Sequence, residues 1–341
     1  ALQIDWGEAT VKLAGEKVKV NLFCARMSYS CAPYVIAYWR QNLESFLDAI
    51  IHTLNYFGGV PRSMIFDNAR VAVKSGFGAH AAAQDDYSKL AAHYGFQPVF
   101  CNPASGNEKG LVENLVGYIR RNVCVPLPQV NSLEDLNTKL LEQCAKYMNH
   151  KIDGRSQKVG QMLAEDQAHL HPLPKYVLDI SKKAYPKVNR YSTVLFDTNY
   201  YSVPCKYRGK GTTVKAYPNR VEIWINGLLV ATHDRCMGRK QESLDLRHYL
   251  PILERKGRAI RYARPVLNAV PAEFLNWMEK QHLNSKQMVE LLEQCLTDGY
   301  LAVMQRDLPN PDTSIAKNDV PVLSVDLSQY DKLYERKGAA S

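Results

Sequence analysis

Two acidic residues stand directly after short apolar segments, and that placement suits chemistry on a phosphate. Asp5 follows the apolar start "LQI", and Asp67 follows "MIF". Carboxylate oxygens are the ligands that hard divalent cations such as Mg²⁺ and Mn²⁺ prefer. Crowded carboxylates repel one another and raise one another's pKa, so a site that gathers them is expected to hold cations. A pair of such ions stabilises the attacking and leaving oxygens of a phosphoryl transfer.

A third acid is available on a later helix. Glu113, in "EKGLVENLVGYIRRN", stands at the edge of an apolar stripe with helical spacing, formed by Val112, Val116, Ile119 and Val123. Glu108 is the alternative third acid, five residues upstream in the loop or the first helical turn. Taken singly, each of these acids has an ordinary interpretation, since Asp after a strand is usually a turn residue and Glu on a helix is usually solvated. Their order along the chain is what indicates a site.

The elements that must position the acids alternate along residues 1–150. Apolar patterns predict strands, in turn, at 2–6, 17–27, 29–39, 64–66 and 97–101. Helical patterns are predicted before the fourth strand, between the fourth and fifth strands and after the fifth, at 42–57, 84–93, 107–123 and 131–148. This order predicts an α/β ribonuclease-H-like catalytic domain. Strands 1 and 4 are neighbours in such a sheet, so we expect Asp5 and Asp67 to meet there.

The rest of the chain changes pattern twice. Short strands separated by turn signals follow a polar, Pro-containing stretch and predict a small β-barrel. A basic region and then helical patterns come next, and a polar tail with one apolar patch follows. We expect this patch to dock on a partner, and the alternative is that it packs back on its own chain. The predicted divisions are a catalytic domain 1–150, a linker 151–190, the β-barrel 191–234, a basic and helical C-terminal region 235–306, and an extended tail 307–341.

The net charge, the apolar runs and the cysteine pattern limit which classes of protein the chain can belong to. The chain has 341 residues and a formal net charge of +9, which suggests a polyanionic partner. No apolar run approaches the roughly 18 residues that a membrane helix needs. The eight cysteines include no CxxC pair, so we expect reduced thiols of a cytoplasmic protein rather than a zinc site. The chain does not begin with Met, and we expect an N-terminal part upstream.

Two groups of cations are candidates for contact with DNA phosphates. Arg120 stands seven residues after Glu113, on the same helix face, and Arg121 and Lys109 flank that face. The basic segment 235–264 has nine Lys and Arg residues against three acids, and its DNA-binding candidates are Arg255, Lys256, Arg258 and Arg261. The alternative is that these charges are simply solvated.

Several stretches together resemble one family: "IDWGEA", "GGVPRSMIFDNARVAV", "FCNPASGNEKGLVENLVGYIRRN" and "YMNHKIDGR". They resemble DDE transposases of the IstA type, which act with an AAA+ ATPase helper, IstB. The resemblance implies that Asp5, Asp67 and Glu113 are catalytic and hold two Mg²⁺ or Mn²⁺ ions. The implied reaction is DNA cleavage followed by attack of the freed 3′-hydroxyl on target DNA.

The same resemblance implies the setting of the reaction. We expect a homo-oligomer on DNA that holds element ends and target, in the bacterial cytoplasm and associated with the nucleoid. Helix-turn-helix domains normally precede the catalytic domain in this family. The alternatives are a retroviral-type integrase, which an HHCC zinc module would favour, and a non-catalytic DNA-binding assembly protein.

Overall fold

The computed structural model describes residues 1–67, 73–75, 82–83, 85–101, 110–122 and 125–306, except for the side chains at 67, 73–75, 82–83, 101, 110–114 and 258. The chain divides into two compact units, Ala1–His248 and a second that begins at Tyr249. Each unit is described by itself.

The first 150 residues form a mixed sheet with helices on both faces. The elements are β1 (Leu2–Leu13), β2 (Glu16–Met27), β3 (Pro33–Tyr38), α1 (Leu43–Phe57), β4 (Ser63–Asp67), β5 (Val73–Ser75), β6 (Ala82–Ala83), α2 (Asp85–Tyr94), β7 (Gln97–Cys101), α3 (Gly110–Asn122), β8 (Gln129–Val130) and α4 (Leu133–Tyr147). The sheet order is β3-β2-β1-β4-β7, with β8 beside the end of β1. Strands β1 to β3 are antiparallel, and β1, β4 and β7 are parallel. This is the ribonuclease-H-like order predicted from the sequence.

Alternating side chains of the sheet bury two separate cores. On one face Ile4, Phe23 and Phe66 pack with aromatic residues of the helices α1 and α2, among them Phe46 and Tyr87. On the other face a second cluster joins β1, β2 and β3 to α3 and α4, with members Ala9, Val11, Leu22, Leu115, Val116, Ile119, Leu136 and Leu140. Successive residues of a strand point to opposite faces, so β1 contributes to both cores.

Local signals fix the ends of the helices. Asn42 caps α1 by accepting a hydrogen bond from the Ser45 N–H at 2.9 Å. Gly58 ends α1 in the left-handed region at φ 76°, which glycine adopts without strain. Ser132 caps α4 and accepts from the Asp135 N–H at 3.1 Å.

The stretch predicted as a linker packs on the sheet and helices of residues 1–150. It contains α5 (Val159–Ala168), and Val159 and Met162 are buried in the same cluster as the face of the sheet that α1 covers. Val60 and His171 exchange backbone hydrogen bonds of 2.8 and 2.9 Å. The domain boundaries remain a prediction, but this segment contributes buried surface rather than only a connection.

A β domain completes the first unit. Its strands are β9 (Lys182–Ala184), β10 (Thr193–Phe196), β11 (Asn199–Ser202), β12 (Thr213–Ala216), β13 (Arg220–Ile225), β14 (Leu228–Asp234) and β15 (Glu242–Ser243). They form two sheets, β10-β11-β15 and β14-β13-β12-β9, around one apolar core. Between residues 182 and 243, no strand pairing joins the two sheets into one, so the predicted closed barrel is not confirmed.

The second unit is helical where it is described. Its helices are α6 (Leu250–Arg255), α7 (Arg264–Ala269), α8 (Ala272–Lys280), α9 (Ser285–Asp298) and α10 (Tyr300–Met304), with a 3-10 turn at Gly257–Tyr262. Ile260, Val266, Phe274, Leu292 and Val303 are fully buried. Asn284 caps α9 by accepting from the Gln287 N–H at 3.0 Å. The predicted tail 307–341 lies outside the described residues.

Candidate active site

The parallel pairing of β1 with β4 sets two of the predicted acids level with each other. Gln3 pairs with Ile65 and Ile4 with Phe66, so the next position on each strand is Asp5 and Asp67. Neighbouring strands lie about 4.8 Å apart. Asp67 also pairs with Cys101 on β7. The backbone of Asp67 therefore ends β4 beside the backbone of Asp5, which lies inside β1 because that strand continues to Leu13, beyond the predicted end at residue 6. The Asp67 side chain is outside the described residues.

The Asp5 carboxylate is held by the backbone that follows it. Its Oδ1 accepts a hydrogen bond from the Trp6 N–H at 2.8 Å. The Trp6 ring is anchored on the opposite face of the sheet, edge-on to Phe23 and Tyr38 with centroid distances of 5.4 and 6.1 Å. Asp5 itself is half-buried. The carboxylate is thus oriented by a strand whose neighbouring side chain is fixed in the core.

Helix α3 crosses β1 at very short range just after Asp5. A Cβ atom placed on Gly7 would lie 2.6 Å from Val116 Cγ1, closer than side-chain atoms pack. One turn further along α3, Arg120 Nε donates to the Glu8 carbonyl oxygen at 2.9 Å. Only glycine at position 7 permits this approach, because any side chain there would push the helix away from the strand.

The crossing fixes where the third predicted acid lies in the fold. Glu113 precedes Val116 by about one helical turn, and Asp5 precedes Gly7 by two strand residues. Val116 contacts Gly7, and Arg120, which comes later on α3, contacts Glu8, which comes later on β1. The backbone of Glu113, which comes earlier on α3, therefore lies toward the end of β1 that carries Asp5. Its side chain is outside the described residues, as are Glu108 and Lys109 entirely.

Metal-ligand clusters are not found among the side chains that the structure describes. No group of three or more His, Cys, Asp or Glu side chains gathers there. That search does not include Asp67 and Glu113, so the three-acid site remains a prediction that rests on backbone placement.

The cations predicted to contact DNA have different surroundings. Arg120 is exposed and uses Nε on the strand backbone, and Arg121 is exposed in the last turn of α3. Arg255 and Lys256 are exposed at the end of α6, whereas Arg261 forms an ion pair with Glu279. The Arg258 side chain lies outside the described residues.

Arg235, which sequence analysis counted with the basic segment, is buried between the sheet helix α1 and the β domain. Its side chain is 2 % exposed, and Nη2 lies 3.4 Å from Glu44 Oε1 and 3.5 Å from Asp197 Oδ2. Nη1 donates to the Tyr217 carbonyl oxygen at 3.0 Å. Arg40 reaches the same Asp197 carboxylate at 3.5 Å from a more exposed position. Charge counting could not reveal this pairing, because the partners are distant in sequence.

A polar network closes the other end of the β domain. His233 Nε2 donates to the Ser202 carbonyl oxygen at 2.7 Å, and its Nδ1 lies 3.0 Å from the Ser243 hydroxyl. The Ser202 hydroxyl lies 2.8 Å from His248 Nδ1 and accepts from the Asp245 N–H. The pKa of His248 is lowered to about 4, mainly by burial; the Asp245 carboxylate opposes this shift, and the positive charges of His233 and Arg247 add to it. Burial also lowers the pKa of His233.

In the part of the chain that the structure describes, every helix is too short or too polar to cross a bilayer.

Sequence relatives agree on one kind of protein. Residues 173–245 match the family model described as Mu transposase, C-terminal domain. A protein named "Transposase" from Aminobacter aminovorans is 32% identical over 89% of this chain and 61% of its own length. The "Transposase for insertion sequences IS1326/IS1353" of Pseudomonas aeruginosa is 31% identical over 89% of this chain and 62% of its own length. The "Transposase for insertion sequence element IS21" from the same species is 30% identical over 74% of this chain and 65% of its own length.

Solved structures are similar at a much lower level. A chain of a simian T-cell lymphotropic virus intasome has a TM-score of 0.36 and 13% identity, covering 70% of this chain and 79% of that one. The HTLV-2 integrase catalytic core, solved in complex with magnesium, has a TM-score of 0.35 and 16% identity, covering 48% of this chain and 94% of that one. Such weak structural likeness adds nothing to what the strand order already shows.

These sequence relatives all carry the name transposase. Identity near 30% extends over most of this chain, and the chain spans about three-fifths of the length of the curated relatives it matches. Over most of its length, the chain is similar to transposases of insertion sequences, IS21 among them.

Proposed function

We propose that this chain carries the catalytic centre of an insertion-sequence transposase, a metal-dependent polynucleotidyl transferase that cleaves DNA and joins it to a target. Asp5, Asp67 and Glu113 are its catalytic carboxylates and metal ligands. The observation that carries the proposal is a pair of backbone relations beside the point where β4 ends. Asp5 and Asp67 are level on adjacent parallel strands, and α3 crosses β1 at Gly7, one turn beyond Glu113.

The donor set fits two divalent cations. Three carboxylates supply only oxygen ligands, which suit Mg²⁺ or Mn²⁺ better than softer metals. The acids stand on two strands and one helix that are rigidly packed, and such elements hold ligand positions better than loops do. When bound, the two ions supply Lewis-acid stabilisation to the attacking and leaving oxygens of the transfer.

The proposed reaction has two steps at one site. Water first forms a P–O bond at the end of the element, and the 3′ oxygen leaves to become a free hydroxyl. That hydroxyl then attacks a target phosphodiester, which releases a 3′ oxygen of the target and joins the strands. The protein residues bind and align the phosphates, and Arg120 is proposed as a phosphate contact beside the site, with Lys109 and Arg121 flanking it.

The broader assembly is proposed on the same basis. We infer that the chain acts as a homo-oligomer that holds element ends and target DNA, together with an AAA+ helper of the IstB type. The β domain and the helical second unit, with Arg255, Lys256, Arg258 and Arg261, are proposed to extend the DNA interface. The tail 307–341 is proposed as a docking segment.

Metal binding gives a test that needs no catalytic activity. A ligand that binds only the folded protein stabilises it, by about 2.7 kcal/mol at a hundredfold excess over its Kd. We expect Mn²⁺ to raise the melting temperature of the parent chain. Asp5→Asn, Asp67→Asn and Glu113→Gln should each remove most of that rise, and the exposed Asp153→Asn should retain it.

Joining of DNA tests the reaction itself. Asp67→Asn should abolish Mg²⁺-dependent joining of DNA that carries the element's ends, while DNA binding stays close to that of the parent. Glu108→Gln separates the two candidates for the third acid, because only the true ligand removes both the Mn²⁺ shift and joining. Unchanged joining by Asp67→Asn would remove that residue from the mechanism.

A further inference from the structure

Two loops of the β domain form a basic surface with no acidic residue. They are residues 185–192, between β9 and β10, and residues 203–211, between β11 and β12; together they are called the loop patch. Five exposed cations belong to it: Lys187, Arg190, Lys206, Arg208 and Lys210. None of them belongs to the basic segment 235–264 that sequence analysis selected for DNA binding.

Backbone hydrogen bonds hold the two loops side by side. The Val188 N–H donates to the Lys210 carbonyl oxygen at 2.9 Å, and the Gly209 N–H donates back to the Val188 carbonyl oxygen at 3.0 Å. The Val203 N–H donates to the Ser192 carbonyl oxygen at 2.9 Å. The cations of both loops therefore lie on one continuous and ordered surface.

The charge of the loop patch is not compensated. Three other cations of the β domain are paired with carboxylates. Lys183 and Lys215 lie 3.3 and 3.0 Å from Asp179, and Arg220 lies 2.9 Å from Glu222. Within the described part of the chain, none of the five loop-patch cations forms an ion pair with a carboxylate. An external anion therefore meets five cations with no internal competitor.

Aromatic rings hold two of these cations in place. The Arg190 guanidinium lies 4.8 Å from the Tyr191 ring centroid and also donates to the Tyr191 hydroxyl at 2.7 Å. Lys206 Nζ lies 5.1 Å from the Tyr207 ring centroid. A stacked guanidinium has lost part of its rotamer freedom before binding, so less is lost when it contacts a phosphate.

We propose that the loop patch binds the phosphate backbone of duplex DNA. This inference rests on the proposed function, which makes DNA the polyanion that the chain must hold. A DNA backbone presents regularly spaced phosphates, which can contact several cations of one rigid surface at the same time. A single acidic side chain cannot do so. In this proposal the five loop-patch cations, which lie outside the predicted basic segment, form the DNA-contacting face of the β domain.

The salt dependence of binding measures the number of phosphates contacted. Each neutralised phosphate contributes about −0.9 to the slope of log K against log salt. The double variant with Lys187→Gln and Lys210→Gln loses two phosphate contacts. The slope should therefore become less steep by about two, and binding at 0.1 M salt should weaken about 60-fold. Lys146→Gln with Lys151→Gln removes the same charge from exposed positions outside the β domain and should change affinity less than about threefold. The probe is a duplex of random sequence titrated against the full chain.

A second variant tests the role of the stacked ring. Tyr191→Ala removes no charge, so the slope should stay as in the parent, while affinity should fall about threefold because Arg190 loses its support. Both sets of variants should keep the parent melting temperature and its rise with Mn²⁺.

The possible outcomes separate this inference from the proposed function. If the parent binds DNA but the Lys187 and Lys210 variant keeps its slope, the loop patch is not the contact surface while the transposase proposal stands. An equal loss from the Lys146 and Lys151 control would overturn the loop patch as well, since net charge alone would then explain the effect. If the parent chain shows no salt-dependent DNA binding, both the loop patch and the proposed function fail.

Discussion

The close approach of α3 to β1 at Gly7 makes a sharp prediction. A Cβ on residue 7 would stand 2.6 Å from Val116 Cγ1, whereas carbon atoms pack at about 3.5–4.0 Å. Gly7→Ala must therefore separate the helix from the strand by about 1 Å. Helix α3 carries the backbone of Glu113, so the displacement moves one proposed ligand relative to Asp5.

The magnitude follows from that displacement. Inserting one methyl group into a packed contact costs about 1–3 kcal/mol of folding stability. A misplacement of about 1 Å at a catalytic site lowers the rate about 10²-fold. We expect Gly7→Ala to lower the free energy of unfolding by about 2 kcal/mol and to slow Mg²⁺-dependent joining about 100-fold, while DNA binding stays unchanged.

A compensating change gives the prediction its control. Val116→Ala removes the atom that collides, so the double variant with Gly7→Ala should recover most of the joining rate, although each single variant is impaired. Gly117→Ala makes the same chemical change on α3 itself, where the nearest atom is the movable end of Arg121 at 3.3 Å. It should be neutral or slightly stabilising, because alanine is the better helix former.

Urea unfolding followed by tryptophan fluorescence measures stability, and joining of DNA ends measures the rate. The reasoning is refuted if Gly7→Ala behaves like Gly117→Ala in both measurements. It is also refuted if Val116→Ala fails to restore any of the rate lost by Gly7→Ala.

Three further changes test other parts of the first unit. Arg235→Met leaves two carboxylates without their buried partner and should lower the free energy of unfolding in urea by about 3–5 kcal/mol. Arg40→Met, at a more exposed position, should lower it by about 1 kcal/mol or less. Equal losses would contradict the buried pairing. The pKa of His248 is about 4 in the folded state and about 6.5 when unfolded, so the unfolded chain binds the extra proton first as pH falls, and stability is lost between about pH 6.5 and 4. His248→Gln should flatten that loss in melting curves, and the exposed His169→Gln should not. Gly58→Ala places a side chain at φ 76° and should destabilise the end of α1 by about 1–2 kcal/mol, visible as a lower urea midpoint.

Local patterns were sufficient to predict most regular elements. The alternation of "RVEIWI" gives β13 at Arg220–Ile225, and the strand at Gln97–Cys101 has the predicted bounds. The end of α1 at Gly58 and the cap of α4 at Ser132 are local signals of the same kind, because each depends on a few neighbouring residues. The neighbouring placement of strands 1 and 4 then followed from the ribonuclease-H-like topology that the order of elements predicted, and the pairing confirms it.

Features that depend on distant partners were not predicted. The strands β9 and β15 have three and two residues, too few to carry a period, and form only through pairing with β12 and β11. The burial of Arg235 depends on Glu44, 191 residues away. A count of charges could not separate such paired cations from those of the loop patch.

The candidate site was predicted in part. The level placement of Asp5 and Asp67 follows once strands 1 and 4 are taken as parallel neighbours. The role of Gly7 was missed, although it lies in the quoted stretch "IDWGEA". A glycine at an otherwise well-formed strand position was the available signal that another backbone element comes close.

The burial of Val159, Met162 and Arg235 limits how the chain can be divided for experiments. A fragment that ends at residue 150 would uncover the apolar surface under α5, and one that ends at 190 would leave Glu44 facing water without its arginine. The first fragment would therefore be prone to aggregation, and the second would lose the buried ion pair between Glu44 and Arg235. The shortest piece suited to expression and crystallisation runs from the first strand to His248, where the compact unit ends.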